Sequence, residues 1–260
     1  MRSILLTWDI EEFDAPADFG APRQPDGGLC NGGAIWEEWL GIAQEWNSPA
    51  TIFVTARLAD AFPALLTQTR DAGHEIASHG WTHEKGADLR LNDSRVKLAS
   101  LAGCPIHGFR SPRLREVPMA EIQEAGFTYD ASSNPALIPG RYGRWGQKRL
   151  PHRKGNLWEV PASTFPLIRF PLFWASFHLL PLPVYQTACQ MLLAMDGLLS
   201  LYFHPWELGD LTEPELPLWL RRRSKTQRVD RMRKLVGWLG KAGTFRTISD
   251  YLAGMRVTRP

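Results

Sequence analysis

An α/β fold built on a parallel sheet or barrel is what this sequence predicts. Short apolar runs alternate with segments of helical periodicity along the chain, which is the pattern of βα units. Glycines stand where several of the helical segments should stop. No internal repeat or low-complexity linker interrupts the rhythm, so residues 1–260 read as a single domain.

Each element has its own justification. Residues 4–8 are an apolar run followed at once by acid, and read as a first buried strand. Residues 36–46 place Trp36, Trp39, Leu40, Ala43 and Trp46 at helical spacing. Residues 50–54 are apolar and β-branched, a second strand. Residues 59–72 are helical and stop at Gly73, and 75–77 form a short strand. Residues 108–110 end another strand, 118–125 are a helix stopped by Gly126, and 127–129 lead into a polar loop. Residues 135–154, rich in Gly, Pro and Arg, read as a long surface loop. Strands follow at 157–161, 199–203 and 245–247, with helices at 184–195, 228–240 and 249–255. The 228–240 helix is basic and amphipathic.

Composition narrows the class. With 44% hydrophobic and 22% charged residues among 260, the chain is an ordinary globular one with a core of normal size. A net charge of +3 is too small to argue for nucleic acid, and the basic cluster lacks the interleaved aromatics of a stacking platform. Cys30, Cys104 and Cys189 are far apart, odd in number and form no CxxC, which fits a reducing compartment better than a disulfide framework. The N-terminal apolar run is too short for a signal sequence, and no stretch approaches the roughly 18 apolar residues of a membrane span. The expectation is a cytoplasmic protein.

The polar residues at strand ends carry the chemistry. In α/β barrels the C-terminal ends of the strands hold the site. Here those ends read Asp9-Ile10-Glu11-Glu12, Ser78-His79 followed by His83, Arg110-Ser111-Pro112, Asp130-Ala131-Ser132 and His204-Pro205-Trp206. His79 and His83, four apart, share one face if their segment turns helically. Zn²⁺ takes imidazole nitrogens and a carboxylate oxygen and keeps one position open. The segment is not HExxH, because Gly80 stands where that motif has its glutamate. The third ligand and a base must therefore come from elsewhere. On an extended strand end Asp9 and Glu11 project to one side, so one can bind metal while the other faces water. His74, His107, His152 and His178 have no partner in this pattern and read as structural. Trp81, Trp174 and Trp206 line a sugar groove or belong to the core.

These stretches carry a resemblance. The chain is similar to the polysaccharide deacetylase family, the NodB-homology carbohydrate esterases, in its bacterial exopolysaccharide-type branch. Five ordered motifs support it: T-W-D-I-E-E from Thr7, S-H-G-W-T-H from Ser78, R-S-P from Arg110, Y-D-A-S-S from Tyr129 and L-Y-F-H-P-W-E from Leu201. The stretch L-W-E-V-P-A-S from Leu157 also resembles that branch. The resemblance implies a distorted (β/α)7 barrel. It implies Asp9 as catalytic base, His79 and His83 as metal ligands and Arg110 as the residue orienting the base. It implies His204 as general acid, supported by Asp130. The family's first motif commonly has two adjacent aspartates, and Ile10 departs from it here. The carboxylate ligand is then placed on Glu11, with Glu12 as the alternative.

The implied reaction is metal-dependent removal of an N-acyl group, acetyl or formyl, from an amino sugar of a glycan or glycan precursor. Zn²⁺ or another divalent transition metal is the implied cofactor. Two other readings compete: hydrolysis of another C–N bond, such as a formamido sugar or small cyclic amide, and a catalytically silent carbohydrate-binding protein. The apolar stretch 165–183 and the cations Arg221, Arg222, Arg223, Lys225, Arg228, Arg231, Arg233 and Lys234 suit either peripheral contact with the inner face of an anionic membrane and a lipid-linked substrate, or a solvated basic helix face.

Overall fold

The fold comes from a computed structural model, which describes residues 2–138, 142–143 and 146–257. Among the described residues there are eleven strands: β1 (Ser3–Ile10), β2 (Thr51–Val54), β3 (Glu75–Ser78), β4 (Gly108–Phe109), β5 (Tyr129–Asp130), β6 (Leu137–Ile138), β7 (Tyr142–Gly143), β8 (His152–Lys154), β9 (Leu157–Glu159), β10 (Leu198–Phe203) and β11 (Thr244–Phe245). The main sheet runs β10-β1-β2-β3-β4-β5-β9-β8. Every pairing from β10 to β9 is parallel, and β8 folds back antiparallel on β9. β11 lies parallel beside the start of β1. Beyond β9 the chain curls toward β10: the Ser163 N–H donates to the Ser200 carbonyl at 2.9 Å, and the Ser200 N–H donates to Ser163 Oγ at 2.8 Å. Helices cover the outside, giving the expected distorted α/β barrel.

Side-chain alternation sorts the strands into two layers. On β1, Ile4, Leu6, Trp8 and Ile10 join the large outer core beneath the helices, where Trp8 packs 5.4 Å from Trp39. Leu5 points the other way, into a smaller cluster with Phe53, Ala77, Tyr129 and Trp158. The last helix, Ile248–Val257, contributes Ile248 and Leu252 to that same inner cluster. Gly108 is dictated by the Tyr129 ring beside it, since a Cβ there would lie 1.8 Å from that ring.

Several expected elements shift. The helix expected over 59–72 is two, Ala56–Ala61 and Pro63–Asp71, because Pro63 has no N–H to continue the first and is well placed to start the second. Helix Leu91–Ala102 was not legible; its polar run buries only Ser94, Leu98 and Ala102. Stretch 165–183 contains a helix, Trp174–Leu179. In the expected loop 135–154, residues 139–141 and 144–145 lie outside the described residues, and the rest supplies β6, β7 and β8. The three cysteines are free thiols. No helix among the described residues is long and apolar enough to cross a membrane.

The basic segment turns inward, which favours the structural side of the earlier choice. Arg222 and Arg223 donate to the His178 carbonyl at 3.1 and 2.7 Å, and Arg231 donates to those of Phe177 and Leu180. Buried Arg228 donates to the Arg223 and Gly209 carbonyls, and Arg221 to that of Leu216. Lys225 pairs with Glu38 and Arg233 with Glu45. The contacts of Arg222, Arg223 and Arg231 cap the C-terminal carbonyls of helix Trp174–Leu179, and the others tie this segment to neighbouring parts of the fold.

Candidate active site and metal centre

The alternation that buries Leu5 carries Thr7 and Asp9 to the same inner side, and Glu11 follows just past the end of β1. β3 delivers His79 directly after Ser78, and the loop beyond it returns His83. Gly80 makes that return possible: its φ is +76°, a conformation L side chains avoid, and a Cβ would meet Leu89 at 3.0 Å. The histidine pair thus converges through an irregular loop, not the helical turn that its spacing suggested. The rings stack with centroids 5.6 Å apart.

Glu11 Oε2 lies 3.2 Å from His79 Nε2 and 3.0 Å from His83 Nε2, and one ligand atom from each of the three falls within 4.8 Å of the others. Both histidines are held from behind. His79 Nδ1 donates to the Arg110 carbonyl at 2.8 Å, and His83 Nδ1 bonds the Asp14 carboxylate at 2.7 Å. Those bonds engage Nδ1 of each ring and turn both Nε2 atoms toward Glu11, the orientation that metal-ligating histidines use. Glu11 Oε2 is buried with no hydrogen-bond partner, while its Oε1 accepts from Trp206 Nε1 at 3.3 Å. A buried unsatisfied carboxylate oxygen between two imidazole nitrogens fits a divalent cation, and the N₂O donor set suits zinc. Burial alone would raise the Glu11 pKa, but the adjoining imidazoles of His83 and His79 outweigh it and hold the carboxyl well below its ordinary range. For His83 burial works downward, and the Glu11 charge with the Asp14 hydrogen bond lifts it above its ordinary value.

Beside this triad stand an acid and a third histidine. Arg110 Nη1 donates to Asp9 Oδ1 at 2.6 Å and to Thr7 Oγ1 at 2.9 Å. Its Nε donates to the Ala131 carbonyl, and the guanidinium lies 4.1 Å over the Phe53 ring. The other Asp9 oxygen, Oδ2, is 3.9 Å from His204 Nε2. His204 Nδ1 bonds Glu207 Oε1 at 2.8 Å, and its ring stacks on Trp206 and meets Trp174 edge-on. Burial would lower the His204 pKa, but the Glu207 hydrogen bond and the charges of Glu11, Glu207 and Asp9 raise it to about 9. Asp9, Glu11, His79, His83, His204, Trp174 and Trp206 line one cavity of about 460 Å³, walled also by Tyr202, Leu114 and Arg113.

The structure therefore brings Asp9, Glu11, His79, His83, Arg110 and His204 together, and leaves out Asp130. Asp130 accepts from the Ser132 N–H and hydroxyl in a compact Asx turn. It faces a separate cleft with Arg115, Lys154 and Glu159. The expected support of His204 by Asp130 is corrected to Glu207, three residues after His204 itself. Glu12 is likewise no rival for Glu11: its carboxylate accepts from Thr55, Thr82 and the His83 N–H, so it braces the histidine loop. Trp174 and Trp206 line the cavity, whereas Trp81 sits under the Arg90 guanidinium away from it.

Three further residues escaped the sequence reading. Asp14 orients His83 and pairs with Arg113 at 2.9 Å, and Arg113 holds a left-handed backbone, φ +55°. A carboxylate two residues beyond the end of the first motif gives no sign of such a role. Glu207 was visible at the end of L-Y-F-H-P-W-E, where i+3 spacing places it back on His204. His178, read as structural, donates its Nε2–H to Glu207 Oε2 at 2.9 Å.

Comparisons with known proteins agree with this architecture. Residues 2–124 match the family model for polysaccharide deacetylase, and residues 131–253 match a domain of unknown function (DUF3473). The segment 2–124, just under half of the chain, belongs to the polysaccharide deacetylase family. No curated protein sequence matches it. Among solved structures, a Mycobacterium smegmatis protein assigned as a polysaccharide deacetylase superposes with TM-score 0.66 at 20% identity, over 99% of this chain and 94% of that one. The PuuE allantoinase gives TM-score 0.66 at 16% identity, over 99% and 91%. A Pseudomonas aeruginosa PAO1 protein assigned as a polysaccharide deacetylase gives 0.65 at 15%, over 99% and 92%. At such identities the likeness is one of fold.

Proposed function

We propose that the chain is a metal-dependent N-deacetylase that hydrolyses the acetamido bond of an amino sugar in a glycan or glycan precursor. The observation that carries this reading is the convergence, in one cavity, of the Glu11–His79–His83 triad with Asp9 on one side and His204 on the other. Residues from both matched segments build it, since His204 follows β10 and β10 pairs with β1. We therefore read the two segments as one catalytic unit.

Glu11, His79 and His83 would hold the cation, with zinc the metal best suited to their donor atoms. When bound, it would supply Lewis-acid polarisation of the acyl oxygen and acidification of water. Asp9 accepts the proton of the attacking water through Oδ2, the oxygen that Arg110 leaves free; general-base catalysis of this kind contributes roughly 10²–10⁴-fold. Arg110 fixes the base, and its own orientation is fixed by Thr7, Ala131 and Phe53. His204 presents Nε2 to the same space and passes its proton to the departing sugar nitrogen. Glu207, behind Nδ1, holds the ring in that tautomer. Trp174, Trp206 and Tyr202 exclude water and offer aromatic faces to a sugar ring. The products are a free amine and acetate.

The test is metal content by elemental analysis, together with acetate release from a panel of N-acetylated amino sugars, both monomers and oligosaccharides. About one equivalent of zinc and metal-dependent acetate release are expected. Full-length protein that binds metal at this site yet releases neither acetate nor formate from any member of the panel would overturn the reading.

A further inference from the structure

Glu207 is fully buried, and its two carboxylate oxygens are divided between two histidines. Oε1 accepts from the His204 backbone N–H at 2.7 Å and from its Nδ1 at 2.8 Å. Oε2 accepts from His178 Nε2 at 2.9 Å, and His178 is itself fully buried. The other His178 nitrogen, Nδ1, is buried with no partner. The proton therefore sits on Nε2, where it has an acceptor. With both oxygens committed, the carboxylate cannot rotate without breaking a bond in a dry environment, where an unmade hydrogen bond costs about 1–3 kcal/mol.

His178 is carried by helix Trp174–Leu179, and Trp174, one turn earlier, shares its face. Trp174 meets the His204 ring edge-on with centroids 5.6 Å apart. One short helix thus holds His204 from two sides, directly through Trp174 and by way of Glu207 through His178. A six-residue helix is weak alone. Its position is secured by Arg222, Arg223 and Arg231, which donate to the carbonyls of Phe177, His178, Leu179 and Leu180. The arginine-rich segment thereby acquires a task in the site that its charge alone did not suggest.

We propose that His178 is a positioning residue for the general acid, acting through Glu207 in a His178–Glu207–His204 chain. The proposal rests on the reading of His204 as proton donor to the leaving nitrogen. It distinguishes this site from a minimal acid–histidine pair, because the carboxylate behind His204 is aimed by a second imidazole.

The test compares two substrates across variants of the zinc-loaded enzyme. An N-acetyl amino sugar needs its leaving amine protonated; 4-nitrophenyl acetate, whose phenolate departs unaided, does not. His178→Phe should lower kcat on the amide about tenfold with KM and zinc content unchanged, and alter ester hydrolysis less than twofold. His178→Gln, whose amide can still donate to Glu207 Oε2, should recover most of the loss. In a Glu207→Gln background, His178→Phe should have little further effect, because the chain is already broken. Equal losses on amide and ester, unchanged amide turnover in His178→Phe, or full additivity with Glu207→Gln would each overturn the proposal. If His178→Phe does not fold, His178→Leu, which likewise cannot donate to Glu207, takes its place in every comparison and must show the same pattern. Failure of the underlying reading shows separately: His204→Ala would then fail to discriminate amide from ester.

Discussion

The two walls of the cavity use the same side chain for opposite ends. On one wall, His79 and His83 turn Nε2 toward Glu11, with a backbone carbonyl and Asp14 behind them. On the other, His204 turns Nε2 toward Asp9 Oδ2, with Glu207 and then His178 behind it. A carboxylate backs an imidazole on both walls. The difference lies in what faces the cavity: on the first wall, two imidazole nitrogens share one carboxylate oxygen, and on the second a single ring faces an acid that Arg110 already pairs. The first arrangement suits a cation and the second suits a proton. The identity of a histidine as ligand or acid is thus set by its neighbours, not by its motif.

The sharpest way to break this comparison is to remove the shared oxygen. Glu11→Ala should abolish stoichiometric zinc and lower acetate release by about 10³-fold or more, as loss of a ligand from a three-residue site does. Glu12→Ala should keep stoichiometric zinc, because its carboxylate only braces the loop through Thr55, Thr82 and the His83 N–H, and should mainly lower the melting temperature. Elemental analysis of the two purified variants checks both outcomes. Zinc loss from Glu12→Ala alone would reverse their roles.

Removing the charge behind the acid tests the second wall. Glu207 is among the causes that raise the His204 pKa to about 9 despite burial. Glu207→Gln takes away that charge, so the imidazolium should lose its proton at lower pH. The alkaline limb of the kcat profile should move down in pH, and kcat near neutrality should fall about 10- to 100-fold, within the range of general-acid contributions, with zinc retained. A profile that keeps its alkaline limb would show that another group sets it.

Legibility in the sequence followed locality. Strands β1, β2, β3 and β10 were readable because continuous apolar runs leave few alternatives in a sheet buried on both faces. The residues at their ends came with them, since a strand end projects side chains in a known direction. What failed were contacts between distant segments. His178 and Glu207 are 29 residues apart, and nothing in either local pattern announces the bond. Helix Leu91–Ala102 failed for a different reason, a face with too little apolar content to show a period. The basic segment misled in a third way. Sequence counts charges, but whether arginines face lipid or helix carbonyls depends on the tertiary position of Phe177 to Leu180.

The smallest expected effect is the one that most cleanly separates motif from geometry. Asp130 has the motif position of a residue that supports the acid, yet its carboxylate is engaged by Ser132 and faces Arg115 and Glu159 instead of His204. Burial raises its pKa, the Ser132 hydrogen bonds pull it back only in part, and nearby Glu159 adds to the rise. Asp130→Asn keeps an acceptor oxygen for both Ser132 donors. Acetate release should therefore change less than about threefold, and the alkaline limb assigned to His204 should stay in place, against the shift expected for Glu207→Gln. Parallel kcat–pH profiles of the two variants make the comparison. A downward shift in Asp130→Asn equal to that in Glu207→Gln would restore Asp130 to the chain behind the acid.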